Sequence, residues 1–274
     1  MAVSGNLRKM VTELSSDVQY HLPIGDGRVH LNPLIGSHLT LSFTGVINCI
    51  ECDRKSNKSF SQGYCFPCFR RLAACDSCIV SPEKCHYDAG TCREPDWAQS
   101  HCFVDHIVYL ANTSGVKVGI TRHSQVPTRW MDQGATQAKP IARVQHRQLS
   151  GLLETALAKH VKDKTAWQTM LKGNGEAVSL EETRQELMSL CEDDILALQD
   201  RFGLQALQLL EDEPTVSINY PVVEFPTKVS AHNFDKNPLV EGKLMGIKGQ
   251  YLLLDTGVLN IRKFGGYHIE LETR

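Results

Sequence analysis

The stretch that decides the fold class is His106-Ile-Val-Tyr-Leu-Ala-Asn-Thr-Ser-Gly-Val-Lys-Val-Gly-Ile-Thr121. Two runs rich in β-branched and apolar residues flank Ser114-Gly115, the composition of a β-hairpin, with Tyr109 on one strand and Gly119 on the other. Arg129 stands ten residues beyond Gly119, and Gly151-Leu-Leu-Glu-Thr-Ala-Leu-Ala158 has the composition of a helix carrying Glu154. Strands followed by helices in so short a span predict a small α/β unit over residues 103–175.

Just upstream lies a Cys-rich stretch. Nine of the ten cysteines fall between Cys49 and Cys102, and only Cys191 lies outside. Cys49-Ile-Glu-Cys52 and Cys65-Phe-Pro-Cys68 form a matched CxxC pair separated by twelve residues. Each such turn aims two thiolates at one point, and two turns complete the tetrahedron that zinc accepts. Cys75-Asp-Ser-Cys78 is a third knuckle, with Cys85 and Cys92 the nearest residues to close a second site and Cys102 or His86 able to substitute. Residues 49–102 are therefore expected to hold one or two structural zinc ions. A closed four-Cys site leaves no coordination position for water, so these ions are not expected to be catalytic. Arg54, Lys55, Lys58, Arg70 and Arg71, interleaved with Phe60, Tyr64, Phe66 and Phe69, are similar to a nucleic-acid-binding zinc ribbon.

Outside these parts the chain changes character. Residues 1–48 and 215–274 are β-rich, with strands expected at Val18–Leu22, Leu39–Phe43, Val216–Tyr220, Tyr251–Leu254 and His268–Leu271. Leu31-Asn32 followed by Gly36, Leu39 and Leu41 loosely echoes Leu259-Asn260 followed by Gly266, Ile269 and Leu271. Two small barrels or two halves of one both fit that echo. Residues 176–214 are an acidic helical segment, opened by the capping box Ser179-Leu-Glu-Glu182 and stopped at Pro214. Leu187, Leu190, Cys191, Leu198 and Phe202 are its expected apolar stripe. The whole reads as a multidomain α+β protein.

The net charge of −2 conceals an uneven distribution: residues 101–175 hold 10 basic and 4 acidic side chains, and residues 176–214 hold 2 and 11. Such blocks suit different partners, nucleic acid for the basic one and a protein for the acidic one; alternatively the two faces neutralise each other. The opening residues lack the apolar core of a secretory signal, and the longest stretch free of charge, Val29–Ile50, is broken by His, Asn, Pro and Gly. A cytoplasmic protein that does not enter a membrane is expected.

The middle segment resembles the GIY-YIG nuclease superfamily. Ile107-Val-Tyr109 stands where the first motif would be and Lys117-Val-Gly119 where the second would be, with Arg129 opening a helix and Glu154 on a later one. The variant is similar to the subgroup reading Tyr-Val…Lys-Ile-Gly-Ile-Thr, and it departs from the superfamily in having Val118 at the second tyrosine. Gly63-Tyr-Cys-Phe-Pro-Cys68, Gly90-Thr-Cys-Arg-Glu-Pro95 and Arg129-Trp-Met-Asp-Gln-Gly-Ala135 also resemble a bacterial family of unassigned function.

The superfamily resemblance implies a phosphodiesterase. Glu154 would hold one Mg²⁺ or Mn²⁺. Arg129 would neutralise charge developing on the phosphate, and Tyr109 would orient or deprotonate the attacking water. Lys117, Arg122 and His123 would steer a DNA or RNA backbone. The rival readings are a non-catalytic zinc-dependent nucleic-acid or ribonucleoprotein binder, and an adaptor using the acidic helix. Trp167, in Asp163-Lys-Thr-Ala-Trp167, is expected to anchor the core between Leu157 and Leu171, with base stacking as the alternative. No phosphate loop, Gly-x-Ser-x-Gly elbow or His-Glu-x-x-His is present, so NTP hydrolysis, esterase and metalloprotease chemistry have no support.

Overall fold

The computed structural model describes residues 2–161 and 166–274. The chain opens with β1 (Ala2–Asn6), β2 (Val11–Glu13), β3 (Gln19–Ile24), β4 (Gly27–His30) and β5 (His38–Ile47). The Cys-rich stretch carries α1 (Phe66–Arg71) and α2 (Pro95–His101) among short turns. Next come β6 (His106–Asn112), β7 (Val116–Arg122), α3 (Thr128–Asp132), β8 (Gln137–Val144), α4 (Arg147–Ala158) and α5 (Trp167–Met170). Then follow α6 (Leu180–Leu190), α7 (Glu192–Phe202), β9 (Leu207–Leu209) and β10 (Val216–Ser217). The chain closes with β11 (Leu239–Lys248), β12 (Tyr251–Leu254), β13 (Gly257–Asn260) and β14 (Tyr267–Thr273). The class is α+β, as the sequence predicts.

The two ends build one frame. The largest sheet runs β1-β14-β5-β11-β12-β13, so strands from the two ends alternate over its first four positions, and β2-β3-β4 form a small companion sheet. The frame is internally duplicated: β3 to β5 match β12 to β14 at an offset of 230 residues, and β1 and β2 match β11 at an offset of 237. Leu22 pairs with Val29 across one hairpin, and Leu252 with Leu259 across the other. The Leu31 amide donates to the Tyr20 carbonyl and the Ile261 amide to the Gln250 carbonyl, both at 2.9 Å. The Gly36 amide reaches the Leu244 carbonyl at 2.8 Å, matched by Gly266 to Leu7 at 2.9 Å. At the centre β5 lies antiparallel to β14 with Leu41 opposite Leu271, a pair that the offset of 230 maps onto itself. The ends are therefore two halves of one pseudo-twofold body, and residues 48–238 are inserted between them. The echo expected from the sequence is real, but its true register places Leu31 against Ile261 rather than against Leu259.

The inserted middle sheet, β10-β8-β6-β7 with β9 beside β8, is packed on both faces. Every residue of β6 is buried. Ile107, Tyr109 and Ala111 point into the core shared with the two ends, while Val108 and Leu110 pack under α4, α6 and α7. That alternation is the period of two of a strand. No helix among the described residues is long and apolar enough to cross a membrane.

Several local expectations need correction. The acidic segment is not helical up to Pro214: its second helix ends at Gly203 and the chain returns as β9, because Leu207 and Leu209 complete the edge of the middle sheet. Leu190 is exposed, because α6 stops there and Cys191 takes the inward position. The strand expected over Val216–Tyr220 spans only Val216–Ser217. Trp167 is not a core anchor: it is 38% exposed and stacks on Tyr251 with ring centroids 5.6 Å apart, while Leu157 and Leu171 belong to separate clusters. The neighbouring Lys162, Asp163 and Lys164 lie outside the described residues. Lys139–Glu181 and Lys159–Asp194 pair at 3.0 and 3.2 Å, so the basic and acidic segments do partly neutralise each other.

Candidate functional site

A cleft of about 920 Å³ opens where the duplicated frame, the Cys-rich module and the middle sheet meet. One side of it is β7, from Lys117 to Arg122, because this edge strand of the middle sheet has no further strand beyond it. Seven basic side chains line the cleft against two carboxylates, Asp132 and Glu154. Asp132 is committed elsewhere: Lys9 Nζ lies 2.7 Å from one oxygen, and Gln250 Nε2 donates to the other at 2.8 Å. The Arg129–Asp132 ion pair that would make Arg129 merely structural is therefore not formed. Glu154 is left facing cations.

Arg129 and Glu154, predicted from sequence, thus share this cleft. Burial drives the Glu154 carboxyl up to about 7; Arg147, Arg129 and Lys117 oppose that rise, and Glu83 adds to it. Lys117 and Arg122 also line the cleft, whereas His123 is exposed and does not. Tyr109 lies behind the wall. It is fully buried, its hydroxyl donates to Gln133 Oε1 at 2.7 Å, and burial holds that hydroxyl up at about 12 against the pull of Arg129.

Tyr109 is paired directly across the hairpin with Gly119, and its ring lies over that residue. A Cβ at position 119 would sit 2.7 Å from the tyrosine Cζ and Oη. Glycine is required here by close approach. Gln133, at the end of α3, carries the tyrosine's hydrogen bond to the cleft surface.

The other predicted cluster is in place at its first site. Cys49, Cys52, Cys65 and Cys68 have all their sulfurs within 4.8 Å of one another, with Cys52 and Cys65 at 3.8 Å. A tetrahedron with Zn–S bonds of about 2.3 Å needs sulfurs about 3.8 Å apart. Burial works against ionisation of Cys49, but the backbone amides of Cys52, Cys65 and Glu51 outweigh it and bring the thiol down to about 6. Gly63, at φ +146°, presents its Cα to the Ile50 side chain and brings the second knuckle against the first. The donor set and spacing are those of a structural zinc site.

The model of a family described as "Protein of unknown function (DUF2797)" matches residues 36–269. The chain belongs to the DUF2797 family. No curated protein and no solved structure matches it.

In this DUF2797 chain the remaining predicted ligands divide. Cys75 packs against Cys49, Cys65, Cys68 and Leu72, beside the first site. Cys78, Cys85 and Cys92 lie apart from it around a small cavity that Cys102 also lines. The tightest group of possible ligands there is Asp76, Cys78 and His86.

Sequence reasoning missed four of the cleft's cations. Arg147 had a local signal: it precedes Glu154 by seven residues, about two helical turns, and so shares its face of α4. Arg8, Lys9 and Arg262 come from the two ends of the chain, and only the duplicated frame brings them in.

Proposed function

We propose that the cleft binds the phosphate backbone of a nucleic acid and cleaves it with the help of a divalent metal, the Cys49–Cys52–Cys65–Cys68 cluster serving as a structural zinc site. The observation that carries this reading is the meeting of Arg129 and Glu154 in one strongly basic cleft beside the Tyr109–Gly119 pair. It is the arrangement that the resemblance to GIY-YIG nucleases implies.

Mg²⁺ or Mn²⁺ at Glu154 is compatible with the residues present. Such ions take one or two carboxylates and complete their shell with water and substrate phosphate oxygens. Glu154 is one carboxylate, half-buried, with no competing ion pair among the described residues. A bound ion would supply charge neutralisation at the phosphate and a more acidic water. Protons and the cation compete for Glu154, so cation binding strengthens as pH rises through about 7.

The side chains supply the rest. Arg129 offers a planar fork of donors to the charge that develops on the phosphate. Arg147, whose Nη2 donates to the Ile79 carbonyl, has a buried Nε without a partner and holds positive charge beside Glu154. Arg262, fixed by Gln62 Oε1 at 2.6 Å, extends the basic track. The Tyr109 hydroxyl fixes Gln133 by hydrogen bonding, so tyrosine acts through the amide and not on water directly.

The test incubates purified protein with labelled single- and double-stranded DNA and RNA, with Mg²⁺, Mn²⁺ or EDTA. Products that require the cation and vanish in folded Glu154→Gln and Arg129→Ala variants support a nuclease. Salt-sensitive binding without products would leave the cleft as a binding site only.

A further inference from the structure

We infer that Cys78, Cys85, Cys92 and Cys102 form a second zinc site, and that Cys75 belongs to neither site. These four line a single small cavity of about 20 Å³. A cavity needs only about 10–15 Å³ to admit one water-sized particle, so this one has room for one ion. Cys75 does not line it; its sulfur lies on the side of the first cluster.

The four sulfurs are less tightly gathered than those of the first site, which all lie within 4.8 Å of one another. Thiols facing one small cavity close on an ion by rotation about χ1 between staggered wells. As four Zn–S bonds form, the thiols release their four protons to solvent. Thiolates are soft ligands, so the site selects zinc over the hard cation expected at Glu154.

The rival set, Asp76, Cys78 and His86, is geometrically tighter but already engaged. Asp76 pairs with Arg93 Nε at 2.9 Å and accepts from the Ser77 amide at 2.6 Å. His86 Nδ1 is 2.8 Å from Thr91 Oγ1. Both side chains have partners without an ion.

The position gives the ion work to do. Residues 77–102 contain three short helical turns, no strand and little core of their own. They lean on α4: the Arg147 amide donates to the Cys102 carbonyl at 2.8 Å, and Arg147 Nη2 to the Ile79 carbonyl. Pro82 and Glu83 press against Gly151, where a Cβ would lie 2.7 Å from the Glu83 amide nitrogen. The second ion fastens the segment that seats Arg147 in the cleft. None of this depends on the cleft being a nuclease.

The experiment measures zinc per chain by elemental analysis after reconstitution with zinc alone. Wild-type protein and Cys75→Ser should each hold two; Cys92→Ser and Cys102→Ser should each hold one. One zinc in the wild type, or loss in Cys75→Ser with retention in Cys102→Ser, overturns the assignment. Alkylation of the native wild-type protein, mapped by mass spectrometry, avoids any folding defect of the variants. Cys75 and Cys102 are both half-buried, so their relative reactivity reports ligation. Cys75 should react and Cys102 resist; equal reactivity, or the reverse order, refutes the site.

Discussion

Glu154→Gln should make the protein more stable at pH 8 while removing whatever the cleft does with a cation. The wild-type carboxyl sits at about 7 in the folded chain, against 4.5 for an unperturbed glutamate. Burial is the main cause, and the guanidinium groups of Arg147 and Arg129 compensate it only in part. Between those two values the folded state binds more protons than the unfolded state, so rising pH favours unfolding there. The full interval of about 2.5 units corresponds to roughly 3 kcal/mol at about 1.4 kcal/mol per unit, lost by pH 8. Glutamine has nearly the same shape and no charge, so it escapes this cost. Urea denaturation of both proteins across pH 4 to 9 is the assay. The variant should match the wild type near pH 4, gain on it up to about pH 7 and then keep a constant lead of 1–3 kcal/mol. A lead that does not change with pH would refute the reasoning. So would a variant less stable than wild type at pH 8, which would mean that Glu154 is held ionised by its cations.

Three further outcomes follow from the same geometry. Gly119→Ala forces a methyl onto Tyr109 and should cost about 1–3 kcal/mol in denaturant unfolding, with a red-edge change in tyrosine absorbance as the ring moves. Arg129→Ala should lower cleavage by roughly 10²–10³-fold and flatten the salt dependence of nucleic-acid binding by about one unit of log–log slope. Ser179→Ala removes the hydroxyl that accepts from the Glu182 amide at 3.2 Å; it should cost about 1 kcal/mol of stability and leave nucleic-acid binding unchanged.

How much of this was readable in advance depended on how local each signal was. The Tyr109–Gly119 hairpin is encoded by neighbours: alternating apolar residues and a Ser-Gly turn set the strands, and their register puts the two residues opposite each other. The first zinc site is equally local, two tight turns at fixed spacing. Ser179 behaved as a cap for the same reason. The cleft was only partly visible because its charge is pooled from distant segments. Lys9 meets Asp132 across 123 residues of sequence, and Arg262 meets Gln62 across 200. The helix stop expected at Pro214 came earlier, at Gly203, because pairing of β9 with β8 outweighed the helical character of the residues after it. Trp167 reads as core by composition, yet its partner is the half-buried Tyr251, which no pattern around Trp167 reveals.

The duplicated frame explains why the cleft lies on one side only. Under the offset of 230, Ile35 corresponds to Gly265 and Asn32 to Arg262. A Cβ at Gly265 would lie 2.3 Å from the Gln62 carbonyl oxygen, and one at Gly266 would lie 2.2 Å from that of Asn48. The second half has thus lost the side chain that its counterpart keeps at Ile35, and the Cys-rich module's backbone occupies the space. At Gly36, the equivalent of Gly266, a Cβ would meet nothing within 4 Å, and no module docks. Gln62, whose backbone seats against Gly265, also accepts from Arg262 at the cleft's rim, so the module touches the second half at both of these differing positions. Docking the zinc module and completing the basic cleft are therefore one structural event, and a symmetric frame acquires a single site through the residues in which its halves differ.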